Sequence, residues 1–166
     1  RLNAEKALKE NELQISNLVS NLPGIVYRCA LDENYTMDFI SEGCTRITGY
    51  TPDEFTNLKS ITFNSLILPE YQQYIWNKWQ KIINDKDVFE AEYPIKTASG
   101  EIKWLWERGC GVFNEKGKLL FLEGYVEDIT QRKLIEEKHR QSESNLTRTI
   151  EESPFGIRIL SEDGTT

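Results

Sequence analysis

The sequence predicts an α+β domain in which helices cover one face of a five-stranded antiparallel sheet, with a linker helix at each end. Two observations favour this class. Five apolar segments have the length of strands, and the last three are joined by short connections that end in glycine. Segments with helical periodicity fill the one long connection. The chain has 166 residues, which suits one domain of ordinary size plus flanking segments.

The composition of the chain argues against some classes of function. Hydrophobic residues make up 39% of the chain and charged residues 28%, and the net charge is −7. An acidic balance argues against a nucleic-acid or anionic-membrane surface, because both partners favour a basic face. No apolar run approaches the roughly 20 residues that span a bilayer. We therefore expect a soluble, cytoplasmic piece of a longer protein, cut at Arg1 and compatible with membrane tethering elsewhere.

The three cysteines, Cys29, Cys44 and Cys110, predict free thiols. Their number is odd and no Cys-x-x-Cys spacing occurs, so a disulfide framework or a zinc site is disfavoured. No metal site is expected.

Residues 1–22 are predicted to form the first helix. Leu8, Ile15 and Leu22 repeat every seven residues, and Leu18 lies four residues before Leu22. This partial heptad pattern indicates a weak coiled-coil seam. Pro23 and Gly24 end the helix.

Residues 25–31 and 36–41 are predicted strands of a hairpin joined at residues 32–34. Thr51 and Glu54 form a capping-box pattern that opens a short helix. A longer helix starts at Leu68-Pro69 and carries an apolar stripe. The stripe comprises Tyr71, Ile75, Trp79 and Ile82, flanked by Trp76 and Ile83. It fits either core packing or the wall of a ligand pocket.

Residues 88–96, 102–113 and 119–128 are the last three predicted strands. Alternation places Ile102, Trp104, Trp106 and Arg108 on one face of the middle strand. Lys103, Leu105, Glu107 and Gly109 take the other face. Each face mixes apolar and charged residues, so the pattern does not decide which one is buried.

The last strand leads into a charged helical segment through Asp128-Ile129-Thr130. Asp128 and Thr130 are both good helix N-cap residues. The sequence thus divides into an N-terminal linker helix (1–22), a domain (23–130), a C-terminal linker helix (131–152) and a final segment (153–166).

The final segment is predicted to start a second copy of the domain. Shifting the chain by 131 residues places Glu12, Ile15, Val19 and Pro23 on Glu143, Leu146, Ile150 and Pro154. The matched apolar phase and the Pro-Gly context indicate a tandem array, with a similar junction expected before Arg1.

Residues 21–133 resemble a PAS domain with its C-terminal PAC motif. The segments that carry the resemblance are Asn21-Leu22-Pro23-Gly24-Ile25, Phe39-Ile40-Ser41, Ile47-Thr48-Gly49-Tyr50-Thr51-Pro52-Asp53-Glu54, Glu92-Tyr93-Pro94-Ile95, Ser99-Gly100-Glu101-Ile102-Lys103-Trp104, Glu107-Arg108-Gly109, and Gly124-Tyr125-Val126-Glu127-Asp128-Ile129-Thr130-Gln131-Arg132-Lys133.

The resemblance implies a sensor or relay module of a bacterial or archaeal signalling protein, most often a two-component histidine kinase. Asp128, Ile129 and Thr130 would couple the domain to a coiled-coil helix, and the linker helices would form a homodimer. Neighbouring repeats and an output domain would follow in the same chain. Candidates for a ligand pocket or core are Tyr27, Phe39, Trp76, Trp79, Trp104 and Trp106. The alternatives are a small-molecule sensor of a diguanylate cyclase or phosphodiesterase, and a purely structural dimerisation module.

Two departures from the family pattern disfavour the haem and flavin cofactors that some family members bind. The only histidine, His139, lies in the exit helix, which disfavours histidine-ligated haem, and residues 55–68 lack the cysteine of light-oxygen-voltage domains. Ile67-Leu68-Pro69-Glu70 stands where many relatives carry His-Pro-Asp-Asp. No cofactor is expected, and a small apolar or aromatic molecule is the alternative occupant. No nucleophile–base pair or phosphate-binding loop is present, so this fragment is not expected to be an enzyme.

Overall fold

The computed structural model describes residues 2–152, with side chains described as far as Thr147. Two compact units divide at the predicted exit, the first ending at Ile129 and the second beginning at Thr130. The predicted second copy at residues 153–166 lies outside the described residues.

Six helices and five strands form the described chain. The helices are α1 (Leu2–Ser20), α2 (Gly43–Thr48), α3 (Pro52–Thr56), α4 (Phe63–Leu66), α5 (Pro69–Asp85) and α6 (Thr130–Glu152). The strands are β1 (Ile25–Cys29), β2 (Met37–Ile40), β3 (Phe89–Lys96), β4 (Ile102–Phe113) and β5 (Leu119–Asp128). Sequence periodicity did not separate α2 and α4, because neither is long enough to repeat a helical period.

The predicted five-stranded antiparallel sheet is confirmed, with the strand order β2-β1-β5-β4-β3. The strand that leads to the exit, β5, is therefore the central strand of the sheet. Its register sets Gly124 opposite both Tyr27 of β1 and Gly109 of β4, and Val126 opposite Glu107. Any change in the central strand is thus shared with both of its neighbours.

Tertiary packing decides which face of β4 is buried. Leu105, Glu107 and Gly109 point to the core, whereas Trp106 and Arg108 are on the other face. On that outer face the Trp106 Nε1–H donates to Glu90 at 2.9 Å. An apolar tryptophan thus faces outward while a carboxylate faces inward, which is the reverse of a simple hydrophobic rule.

Helix α5 covers the inner face of the sheet. Ile75 and Trp79, both from the predicted stripe, are its buried residues. The Trp79 indole stacks on the Phe89 ring with centroids 4.1 Å apart and planes within 1° of parallel. This contact fixes α5 to the edge strand β3.

Helix α1 buries none of its residues. Leu8, Ile15 and Leu18 are 59%, 53% and 65% exposed, although their spacing is that of a packing seam. Ile15 and Val19 line an open groove whose other walls include Val26 and Phe39 on the outer face of the sheet. The domain therefore does not bury the apolar seam of α1.

Across the part of the chain that is described, no helix combines the length and apolar character needed to cross a bilayer. The same residues contain no cluster of three or more side chains suited to a metal ion. Cys29 and Cys44 are buried free thiols, and Cys110 is a partly buried one.

The stack between Trp79 and Phe89 predicts a large stability effect. Replacing Trp79 with Ala should lower the free energy of unfolding by about 3–5 kcal/mol, because the cavity left by the indole cannot be refilled. Tyr74→Ala, on the exposed side of the same helix, should cost less than about 1 kcal/mol. Urea denaturation measures both, and equal losses for the two variants would contradict the assigned packing of α5.

Candidate functional site: a buried carboxylate in an aromatic cavity

A small cavity lies between the inner face of the sheet and α5, with a volume of about 20 Å³. It offers room for about one water-sized guest. Its polar walls come from Glu107 and three tyrosines, and the remaining walls are apolar or thiol. The lining residues are Ile25, Tyr27, Cys29, Tyr35, Met37, Phe63, Ile67, Ile75, Trp79, Tyr93 and Glu107.

Glu107 is the centre of this site and is only 5% exposed. The Tyr27 hydroxyl donates to its Oε1 atom, and the Tyr93 hydroxyl donates to its Oε2 atom at 2.5 Å. Each carboxylate oxygen accepts more than one hydrogen bond in principle, so both retain acceptor capacity. The cluster ties together β1, β3 and β4.

Burial decides the ionisation of the cluster. Desolvation raises the pKa of Glu107 above its usual range, and the hydrogen bonds from Tyr27 and Tyr93 only partly oppose that effect. Burial and the nearby carboxylate raise the pKa of both phenols well above their ordinary value. Burial also raises the pKa of the Cys29 thiol. The tyrosines therefore act as neutral hydrogen-bond donors, and the site changes charge through Glu107.

Two facing glycines make room for the Tyr27 phenol. A Cβ atom on Gly124 would lie 2.7 Å from the Tyr27 hydroxyl oxygen and 2.6 Å from the Arg108 carbonyl oxygen. A Cβ atom on Gly109 would lie 2.8 Å from the same hydroxyl. Because real Cβ contacts are longer than this, a side chain at either position would displace the phenol from Glu107.

Tyr35 is held in the cavity wall by a strained turn. Its φ of 50° lies in the left-handed region, which is costly for a bulky residue. The turn is organised by Asp32, whose Oδ1 atom accepts from the amides of Asn34 and Thr36 at 3.0 Å each. The Tyr35 side chain is buried, and its hydroxyl has no hydrogen-bond partner among the described residues. A strained residue with an unsatisfied buried hydroxyl suggests a site kept for a function.

The six aromatic residues named from the sequence fall into two groups. Tyr27 and Trp79 line the cavity, and Trp76 packs beside it with its ring 6.3 Å from that of Tyr35. The other three are not among the residues that line the cavity. Phe39 is 46% exposed, Trp106 lies on the outer face of the sheet, and the Trp104 ring meets the Tyr71 ring of α5 with centroids 5.8 Å apart. Whether any of them contributes to ligand binding stays a prediction.

Sequence reasoning missed Glu107, Tyr93 and Tyr35 as site residues. The alternation of the predicted strand places Glu107 on the same face as Leu105. That shared face was the signal by which a buried carboxylate could have been found. A carboxylate on a core-facing register must be hydrogen-bonded or neutral, and the tyrosines that supply the bonds come from distant strands. Tyr35 gave no signal, because its orientation depends on the turn at Asp32.

The exit of the domain is fixed close to this cluster. The Ile129 amide donates to the Trp104 carbonyl oxygen at 2.8 Å, and its side chain is 8% exposed. Asp128 lies 3.8 Å from the Lys103 ammonium, which also donates to the Arg46 carbonyl oxygen at 3.2 Å. The end of β5 is therefore held to β4 and α2.

Comparison with known proteins assigns the family. A sequence profile described as "PAS fold" matches residues 37–126, which is more than half of the chain. The chain belongs to the PAS family. It is a PAS sensory domain of the type found in signalling proteins, as the sequence predicted.

The relatives are sensors and kinases. The domain is 30% identical over 135 residues to a methyl sulfide methyltransferase-associated sensor of Methanosarcina acetivorans, covering 81% of this chain and 13% of that protein. It is 32% identical over 96 residues to a blue-light-activated histidine kinase of Brucella ovis, covering 58% of this chain and 18% of that protein. The PAS domain thus spans a small part of these relatives.

A solved structure shows the same fold. The crystal structure of a sensory box histidine kinase/response regulator from Burkholderia thailandensis superposes with a TM-score of 0.65 at 23% identity. The match covers 81% of this chain and 98% of that one.

The raised pKa of Glu107 predicts a specific pH dependence. A carboxyl group that binds its proton more tightly in the folded state stabilises the fold at low pH, and that contribution is lost as pH rises through the folded-state pKa. The stability of the wild-type protein relative to Glu107→Gln should therefore fall with rising pH. Urea unfolding over a pH series measures it. Glu90→Gln, on the exposed outer face, is the control, and an equal pH trend in both variants would contradict the assignment.

Proposed function

We propose that this PAS domain is a cytoplasmic sensory relay. A change in its core passes through β5 and the Asp128-Ile129-Thr130 junction to a downstream output domain of the same chain. The supporting observation is the position of the buried cluster relative to the exit. Glu107 lies opposite Val126 on the central strand, two residues before Asp128.

The path from cluster to exit needs little motion. Leu105 pairs with Asp128, and the Trp104 carbonyl accepts from the Ile129 amide, so a tilt of β4 against β5 changes both contacts. The chain then continues directly into α6. Two packings of these strands that differ by a few kcal/mol would be enough for a switch.

The parent protein in this proposal is a two-component histidine kinase. Its support is the set of relatives, which includes a blue-light-activated histidine kinase. The domain itself carries no catalysis in this proposal, and kinase chemistry would lie in another part of the parent chain. A parent with a diguanylate cyclase or phosphodiesterase output would use the same junction. Haem and cysteinyl-flavin chemistry remain outside the proposal, because the histidine and cysteine ligands they require are missing from the expected positions.

The proposed assembly is a homodimer through the linker helices, with a second copy of this chain as the partner. The heptad spacing of Leu8, Ile15 and Leu22 leaves a seam that is self-complementary between two parallel copies. On the outer face of the sheet, two arginines are paired with carboxylates. Arg28 lies 3.5 Å from Glu123, and Arg108 lies 3.6 Å from Glu90. Because these charges are balanced, the outer faces of two copies of the chain do not repel each other. This observation also favours the alternative of a purely structural dimerisation module.

Substitutions at the junction test whether it couples the PAS domain to the output domain. Asp128→Ala removes the contact with Lys103, and Thr130→Ala changes the first residue of α6; each should cost only about 1 kcal/mol of stability. In the full-length protein they should nevertheless abolish the response of the output domain to its signal. Autophosphorylation or cyclase assays measure the response, with Asp85→Ala at the exposed end of α5 as the control. Normal signalling by both junction variants would reject the relay.

The dimer can be tested through α1. Leu18→Glu should shift the protein from dimer to monomer, because a carboxylate in an apolar seam must be desolvated. Leu58→Glu changes a leucine of equal exposure, 66% against 65%, outside the seam and should leave the assembly unchanged. Sedimentation equilibrium measures both. A wild-type protein that stays monomeric at high concentration would contradict the dimer.

A further inference from the structure

We infer that the Glu107 cavity binds one small cation of the ammonium class, ammonium itself or methylammonium, between the Glu107 carboxylate and the Tyr35 hydroxyl. The inference deepens the proposed sensory function, on which its biological meaning rests, by naming the class of ligand. It stands on four features of the site, which are its charge, its aromatic walls, its unsatisfied hydroxyl and its size.

The charge of the site is unbalanced when Glu107 is ionised. The residues that line the cavity include no lysine, arginine or histidine. Tyr27 and Tyr93 donate hydrogen bonds to the carboxylate but bring no positive charge. A buried carboxylate without a counter-ion is unfavourable, so it either holds a proton or recruits a cation. An anionic guest is excluded for the same reason.

The walls of the cavity favour a cation over a neutral apolar guest. Five of the eleven lining residues are aromatic: Tyr27, Tyr35, Phe63, Trp79 and Tyr93. The faces of aromatic rings attract ammonium groups, and the attraction grows when the cation is desolvated. Tyr27 and Tyr93 direct their hydroxyls to Glu107, so contacts of this kind fall to the remaining aromatic walls, Tyr35, Phe63 and Trp79.

The Tyr35 hydroxyl supplies the second polar contact. It is buried with no hydrogen-bond partner among the residues that the structure describes, and its oxygen can accept one N–H hydrogen bond while its proton rotates away. An ammonium ion carries several N–H donors, so one ion can bond to Glu107 and Tyr35 together. Potassium has the same charge and can coordinate both oxygens, but it is a spherical ion that needs more oxygen ligands than the carboxylate and the phenols of this lining supply. A water molecule has the donors but no charge, whereas an ammonium ion combines the charge with directed N–H bonds to both groups.

The size of the cavity sets the upper limit on the ligand. A volume of about 20 Å³ accepts an ion of the size of a water molecule. Methylammonium adds one methyl group and therefore requires the Met37 side chain in the wall to change rotamer. Tetramethylammonium is too large and has no N–H donor.

Binding is coupled to the proton of Glu107. Because burial raises the pKa of this carboxyl group, part of the population holds a proton that the incoming cation must displace. Tyr27, Tyr35, Tyr93 and Cys29 surround the carboxyl group and stay neutral, since burial raises the pKa of each. Affinity should therefore rise with pH as Glu107 ionises, and proton release should accompany binding.

Calorimetric titration of the 166-residue chain tests the inference. Ammonium chloride and methylammonium chloride should give saturable one-site binding. Potassium chloride and tetramethylammonium chloride, at equal ionic strength, should give none. Heats measured in two buffers of different ionisation enthalpy should reveal the released proton. Equal heats for ammonium and potassium, without saturation, would overturn the inference.

Two variants assign the binding to this cavity. Tyr35→Phe keeps the ring and removes only the unsatisfied hydroxyl, and Glu107→Gln keeps the shape and removes the charge. Each should weaken ammonium binding by about tenfold or more, the value of one hydrogen bond to a charged group. Tyr71→Phe, a phenol outside the cavity lining, should bind as the wild type does. Undiminished binding by Tyr35→Phe would overturn the inference, even if Glu107→Gln failed to fold.

The ammonium site and the signalling relay are tested by different measurements. Absence of ammonium binding, together with loss of signalling in Asp128→Ala, would remove the ligand and leave the relay. Intact binding, together with normal signalling in the junction variants, would remove the relay and leave the site.

Discussion

The hydrogen bonds from Tyr27 and Tyr93 to the buried Glu107 carboxylate constrain much of this domain. Strands β1 and β3 do not touch in the sheet, because β5 and β4 lie between them. Both phenols nevertheless converge on one residue of β4. Losing either would leave part of a buried carboxyl group unsatisfied, at a cost of about 1–3 kcal/mol. The cluster therefore links β1, β3 and β4 through their side chains.

Other features follow from this constraint. The Gly109–Gly124 pair exists where a Cβ atom would collide with the Tyr27 hydroxyl. The Asp32 turn places the Tyr35 ring in the wall of the cavity next to the cluster, where its hydroxyl has no hydrogen-bond partner among the described residues. A carboxyl group with a raised pKa and an unsatisfied phenol thus share one small cavity. Charge and hydrogen bonding select the class of ligand, and the cavity volume of about 20 Å³ limits its size.

Strand β4, which carries Glu107, and its neighbour β5 also form the C-terminal end of the domain. Because β5 is central, the register that sets Val126 opposite Glu107 also sets Asp128 opposite Leu105. At the other end of the domain, α1 keeps an apolar seam that its own fold does not bury. The Glu107 cluster and the end of β5 are thus connected through one pair of neighbouring strands, on which the proposed relay rests.

Local sequence patterns predict the fold class, the order of the strands along the chain and the change from strand to helix at Asp128-Ile129-Thr130. These depend on local periodicity, turn residues and caps, which neighbouring residues encode. The sequence also named Tyr27 and Trp79, which line the cavity. Tertiary packing, in contrast, turns Glu107 inward and Trp106 outward and places Tyr35 in the cavity wall. Those outcomes require hydrogen bonds between residues 14 and 80 positions apart, and no local pattern records such pairings.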